Sequence, residues 1–159
     1  FCRYKTILDF FCWHKKIKFK LDFFTCESKL SMLSSYLIGD SMELKEVAQI
    51  LDAQVLCGQD KLDLQVTSAC GSDLMSDVMA FVKDQVLLLT GLMNIQVIRT
   101  ANLMDIQVVC FVRGKSPSQE MIDMAEELGI VLMSTKLPLF LSCGKLYNAG
   151  LTGGGTRKI

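Results

Sequence analysis

The chain has 159 residues, with 17 Lys+Arg against 17 Asp+Glu, so its formal net charge is zero. That length suits one domain with one real core, and the charge balance argues against general nucleic-acid binding, which needs a basic face. Half of the residues are apolar, yet no apolar run reaches the roughly 20 residues of a membrane-spanning helix.

Seven cysteines stand at irregular positions, 2, 12, 26, 57, 70, 110 and 143. None pairs into C-x-x-C, and His14 is the only histidine, so a Cys/His zinc site is not expected. Their number is odd and no cleavable signal peptide is evident. The thiols are therefore expected to be reduced and the protein cytoplasmic. Each cysteine reads first as a small buried hydrophobe.

Residues 1–41 differ in composition from the rest. They hold nine of the thirteen aromatic residues, interleaved with lysine and without steady periodicity. Three readings are open: a basic-aromatic contact segment, a targeting peptide, or an extension upstream of a natural start at Met42. Asp9 and the lysines break any apolar targeting core, and no clean amphipathic face emerges for a membrane surface. The third reading is favoured, with residues 1–41 expected to be disordered or poorly packed.

From Met42 onward the pattern is orderly. "SMELKEVAQILDAQ" predicts a helix with Leu44, Val47, Ile50 and Leu51 on one stripe and Ser41 as N-cap. "QVLCG" and "LQVTSA" predict short strands. "SDLMSDVMAFVK" predicts a helix with Leu74, Val78, Phe81 and Val82 inward, capped by Ser72 or Asp73. "QVLLLTG" is a buried strand, and "NIQVIRTANLMD" a helix with Ile95, Ile98 and Leu103 near one face. A second buried strand, "IQVVCFVRG", follows. In "SPSQEMIDMAEELG", Ser116 is expected to cap, Pro117 to open the helix and Gln119 to close a capping box, with Gly129 ending it. "IVLMST" is a third strand and "LPLFLSCGKLYNAG" a last helix ended by Gly150. Residues 152–159 read as a flexible tail.

Near-continuous apolar strands alternating with amphipathic helices mark parallel strands covered on both faces. The expected fold is α/β: a single compact domain over residues 42–151, with a mostly parallel sheet flanked by helices.

Few residues suggest chemistry. Asp73, Asp77, Arg99, Asp105 and Arg113 are the charged candidates, and Asp73 and Asp77 fall four apart on the expected helix. With no histidine in the domain, no catalytic residue is assigned and no enzymatic activity is expected. No metal or cofactor is expected either. A small anionic ligand is the better candidate. "GSD" at 71–73 joins a strand to a helix start, where free N–H groups favour an anion. Thr90-Gly91 and Arg113-Gly114 leave the C-terminal ends of neighbouring strands, where open α/β sheets bind ligands. Neither a P-loop nor a dinucleotide fingerprint is present. Cys143 and Tyr147, four apart on the last helix, read as a contact face. Met75, Met79, Met104, Met121, Met124 and Met133 suggest an adaptable apolar surface for self-association.

"LKEVAQILDAQVLCG", "VTSACGSDLMSDVMAFV" and the stretch from "VLLLTGLMN" through "LFLSCGKLYNAGL" resemble the DRTGG-domain family over about residues 42–151. The resemblance is to short stand-alone members from anaerobic Firmicutes. It implies a domain like the N-terminal domain of HPr kinase/phosphorylase and the first domain of Mur ligases, where the similar domain contacts a uridine nucleotide. It also implies a regulatory or oligomerising role, a homodimer or higher oligomer, and proximity to iron-only hydrogenase genes, without an established activity. The name-giving letters are absent here: the turns read "TGLMN" and "VRGKSP". Gly71, Ser72, Asp73, Thr90, Gly91, Asn94, Arg113 and Gly114 remain as candidate ligand contacts, for a nucleotide or another small anion.

Overall fold

Val86–Thr90, Val108–Phe111 and Val131–Ser134 are almost wholly apolar, and strands of that kind need cover on both faces. They form the middle of a sheet in the computed structural model, which describes residues 41–82 and 86–154. In chain order the elements are β1 (Met42–Glu43), α1 (Leu44–Ile50), β2 (Gln54–Cys57), a 3-10 turn (Gln59–Lys61), β3 (Gln65–Val66), β4 (Ser68–Gly71) and α2 (Met75–Phe81). There follow β5 (Val86–Thr90), α3 (Ile95–Leu103), β6 (Val108–Phe111), α4 (Gln119–Leu128), β7 (Val131–Ser134), α5 (Leu139–Asn148) and β8 (Thr152–Gly153).

The main sheet has six strands in the order β2-β7-β6-β5-β4-β8. All neighbours are parallel except β2, which pairs antiparallel with β7. Each βα unit returns at matching register: Leu87 lies beside Val108, and Val108 beside Val131. The expected α/β architecture is thus present, with a mostly parallel sheet flanked by helices.

Alternation along the strands divides the core in two. Leu88, Val109, Phe111 and Leu132 face Val78 of α2, Val97, Ile98 and Ala101 of α3, and Met121 and Ala125 of α4. Leu87, Leu89, Cys110 and Met133 face Leu44 and Val47 of α1 and Leu146 of α5. A buried hydrogen bond from Thr135 Oγ1 to the Leu51 carbonyl, 2.6 Å long, ties the end of α1 to the end of β7.

Several local expectations are corrected. Ser41 does not cap α1: Met42–Glu43 pairs antiparallel with β3, and Glu43 takes the N-cap position. Carbonyls of Leu64 and Leu62 accept from the first helical N–H groups instead. Leu74 is exposed, because it is the extended N-cap of α2 rather than part of its inner face. Asp73 therefore precedes the helix that carries Asp77. Leu103 is 72% exposed, and α3 buries Val97, Ile98, Thr100 and Ala101.

The N-cap of α4 is Ser118, not Ser116, and no capping box forms. The backbone is still held outward at Lys115, whose carbonyl accepts from Ser134 Oγ, and Gln119 turns to Asp123. Gly129 does end α4, in the left-handed conformation expected of it. The tail is not free from residue 152: Thr152–Gly153 pairs with β4, which would otherwise be a sheet edge. Of the six methionines expected at a surface, only Met79 is exposed, while Met75, Met121 and Met133 are core. The expectation for residues 1–41 falls outside the described residues, save Ser41.

Candidate functional site

The strands β4, β5 and β6 are adjacent and parallel, so the segments leaving their C-terminal ends meet. Asp73 follows β4, Thr90 and Gly91 end β5, and Arg113 follows β6. The Gly91 N–H donates to Asp73 Oδ1 at 2.6 Å, and the Thr90 hydroxyl donates to the same oxygen at 3.2 Å. Arg113 Nη2 donates to Asp73 Oδ2 at 3.1 Å. Both charged side chains remain half-exposed, at 48% for Arg113 and 42% for Asp73.

The backbone is shaped for this. Arg113 and Gly114 both lie in the left-handed region, at φ 67° and 66°. Their N–H groups donate to the carbonyls of Leu137 and Thr135. That double turn points the Arg113 guanidinium back across the sheet end toward β5. A Cβ at Gly91 would stand 3.0 Å from Arg113 Nη1 and 3.1 Å from its Cζ. A side chain there would crowd the guanidinium, which passes directly over the backbone.

Three donors converge on one carboxylate, and this stabilises its charged form. The Gly91 N–H does most to hold the Asp73 carboxyl below the usual carboxylate range, against the opposing effect of partial burial. The Thr90 hydroxyl and the Arg113 guanidinium act in the same direction.

The other candidate residues serve local structure. Ser72 Oγ accepts from the Leu74 N–H and does not cap α2. Gly71 packs against α5: a Cβ there would lie 2.6 Å from Cys143 Sγ. Asn94 caps α3, its Oδ1 accepting from the Gln96 N–H at 3.0 Å. Gly114 completes the left-handed turn beside Lys136. The Asp73 carboxylate does not turn to the α2 N-terminus but to the ends of β5 and β6.

One residue escapes the sequence reading. Lys115 reaches back so that its Nζ donates to the Gly91 carbonyl. The only sequence signal for it is its place in "VRGKSP", two residues after Arg113. Arg113 and Lys115 thus bring two cations to the Gly91 end of β5, and the Lys136 stem packs beside Gly114.

A cleft of about 410 Å³ lies at the opposite pole, lined by Lys61, Asn102, Asp105, Gln107 and Gly129 among others. Its polar groups gather at the C-terminal ends of α3 and α4, where Lys61 Nζ donates to the Gly129 carbonyl at 2.7 Å. That contact is what a helix C-terminus ordinarily attracts. The convergence around Gly91 is the stronger candidate, since it joins three separate chain segments through side chains.

The four cysteines among the described residues are poor candidates for chemistry. Burial pushes the Cys110 thiol up to about 12, and it also raises Cys57, Cys70 and Cys143. A thiol held protonated is a weak nucleophile. Among the described residues no group of three His, Cys, Asp or Glu side chains is placed to hold a metal ion. Nor is any helix there long and apolar enough to cross a membrane.

No protein-family model matches the chain, and no curated protein does. Among solved structures it is similar to the CBS and DRTGG domains of the regulatory region of Clostridium perfringens pyrophosphatase, complexed with its activator diadenosine tetraphosphate. The TM-score is 0.58 at 11% identity, over 81% of this chain and 60% of that one. The fold is therefore a DRTGG-like α/β fold. The chain spans about 60% of the length of that regulatory region.

Proposed function

We propose that this chain is a non-catalytic regulatory module that binds a small anionic ligand, a nucleotide or related metabolite, at the C-terminal edge of β4, β5 and β6. The observation that carries the reading is the convergence of the Gly91 N–H, the Thr90 hydroxyl and the Arg113 guanidinium on one anionic group. Those are the donors that hold phosphate and carboxylate oxygens. The similar pyrophosphatase region is itself regulatory and takes a nucleotide activator. The resemblance to HPr kinase/phosphorylase and Mur ligase domains supports the same reading from the sequence side. A non-catalytic role agrees with the lack of a histidine base from Met42 onward and of a P-loop.

Thermal melting against a panel of nucleotides and phosphorylated metabolites tests this. A ligand that binds only the folded state raises the melting temperature with concentration, and Arg113→Ala removes the rise. A flat response to the whole panel overturns the reading.

A second reading is a homo-oligomerising adaptor. It is favoured by the outer face of α5, where Phe140 is 85% exposed and Leu141 and Tyr147 are also exposed. Phe140, Cys143 and Tyr147 border an apolar cleft of about 300 Å³ beside β8. Contiguous exposed apolar surface of this kind marks interaction sites. The association with a hydrogenase or redox operon rests on the family resemblance. A strictly monomeric particle in light scattering, with no partner in a pull-down, sinks this second reading.

A further inference from the structure

We propose that Asp73 is a built-in occupant of the anion subsite, and that a di- or triphosphate group binds by displacing it. The inference rests on the ligand-binding reading above and adds how that site is regulated and which anions it selects.

The backbone of the receptor is held in place, whereas its present occupant sits on a short exposed link. Gly91 directly follows the buried strand β5. Arg113 is anchored by its own N–H on the Leu137 carbonyl, and Gly114 by its N–H on the Thr135 carbonyl. Asp73, in contrast, sits on a short link between β4 and α2. The Ser72 N–H is held by the Leu89 carbonyl, but Leu74 beside it is extended and 57% exposed. With 42% of its side chain in solvent, Asp73 has room to rotate outward, while the Gly91 N–H and the backbone that carries Arg113 stay in place.

Charge decides which anions compete. Arg113 and Lys115 both reach this end of the sheet, and Asp73 pairs with Arg113. Lys115 now donates to the Gly91 carbonyl, a neutral acceptor that it exchanges readily for an anion. A terminal phosphate carries more charge than a carboxylate and offers more acceptor oxygens. It replaces Asp73 on Gly91 and Arg113, while the next phosphate meets Lys115. An anion with one carboxylate only matches Asp73 and gains nothing by replacing it. The tethered carboxylate thereby sets a threshold that favours polyphosphates over singly charged metabolites.

Isothermal titration of the full chain with inorganic triphosphate and with orthophosphate tests the inference, in wild type, D73N, R113A and the D73N/R113A double variant. Asparagine keeps the shape and removes the charge. The expected result is that triphosphate binds D73N about tenfold more tightly than wild type, in line with the loss of one charge-assisted contact set that the ligand must otherwise break. Orthophosphate binding should be measurable in D73N and weaker in wild type. R113A should abolish both, alone and in the double variant.

If D73N binds triphosphate equally or more weakly than wild type, Asp73 is a bystander or a direct ligand contact. The displacement idea then falls while the ligand-binding reading stands. Enhanced binding that survives in the double variant also overturns it, because Arg113 is then not the contested donor. If no variant binds either anion, the displacement idea falls, and the ligand-binding reading is decided by the melting panel. Should D73N not fold, carbon-13 NMR of the wild-type carboxylates decides the matter. Saturating triphosphate should move the Asp73 carboxyl resonance and the Gly91 amide, and an unmoved Asp73 signal overturns the inference.

Discussion

Gly91 gives its backbone N–H to the Asp73 carboxylate across 2.6 Å, joining the end of β5 to the link that follows β4. The same carboxylate holds Arg113, so one side chain connects the ends of three adjacent strands. Asp73→Asn should therefore lower stability at neutral pH. The pair is half-exposed and screened by solvent, so the expected loss is only about 1 kcal/mol. Urea unfolding of both forms at pH 7 measures it.

The pH dependence of that difference has a definite sign. The folded-state pKa of Asp73 is depressed, chiefly by the Gly91 N–H. Its contribution is present above the unfolded carboxylate value of about 3.9 and is lost as pH falls through the lower folded value. Wild type and Asp73→Asn should thus converge in stability below about pH 4. Unfolding curves repeated from pH 6 down to pH 3 check this, and a gap that widens on acidification contradicts it.

Gly91→Ala separates site from fold. The Gly91 backbone lies outside the left-handed region, so alanine brings no conformational strain. Its methyl group instead crowds the Arg113 guanidinium, the far end of a flexible side chain. The variant should fold with a stability change within about 1 kcal/mol and lose the melting response to phosphorylated ligands. Paired thermal scans with and without ligand measure both quantities.

The two faces of α5 should respond oppositely to truncation. Leu146 is wholly buried against the α1 side of the sheet, and Leu146→Ala should cost about 2–5 kcal/mol. Phe140→Ala should fall within about 0.5 kcal/mol in the monomer. If Phe140 lies in an interface between copies, its loss instead shows as a concentration-dependent drop in melting temperature.

Thiol labelling tests the core. Cys57 and Cys110 are buried, and the Cys110 thiol is raised to about 12. Both should resist iodoacetamide at pH 8 in the folded protein and react fully in denaturant. Peptide mapping by mass spectrometry reads each position separately.

The alternation of strands and helices is legible in the residues themselves. "VLLLT", "VVCF" and "VLMS" are too apolar to face water on either side, and each is followed by a helix with an inner stripe. Gly129 is also readable, since ending α4 is a local event. The caps are less so: Ser41 and Ser116 have the right chemistry for N-caps, but strand pairing at Met42 and the Ser134 contact to Lys115 move the helix starts downstream. Leu103 is expected on the inner stripe, yet it is exposed, because the buried stripe runs through Val97, Ile98 and Ala101 to Met104 on another side of the helix.

The candidate site shows the same division. Asp73, Thr90, Gly91 and Arg113 are all recognisable as residues at strand ends, because apolar runs that stop at Gly mark where the chain turns. What they do for one another is decided only in three dimensions. Asp73 has two courses open, the α2 N-terminus or the neighbouring strand end, and local chemistry favours the helix. The parallel packing of β4, β5 and β6 brings an N–H, a hydroxyl and a guanidinium to the second position. Three donors from elsewhere in the chain outweigh one nearby helix end. The sequence by itself determined which segments are strands and where they end; only the order in which the sheet lays them side by side decided that Asp73, forty residues before Arg113, becomes its partner.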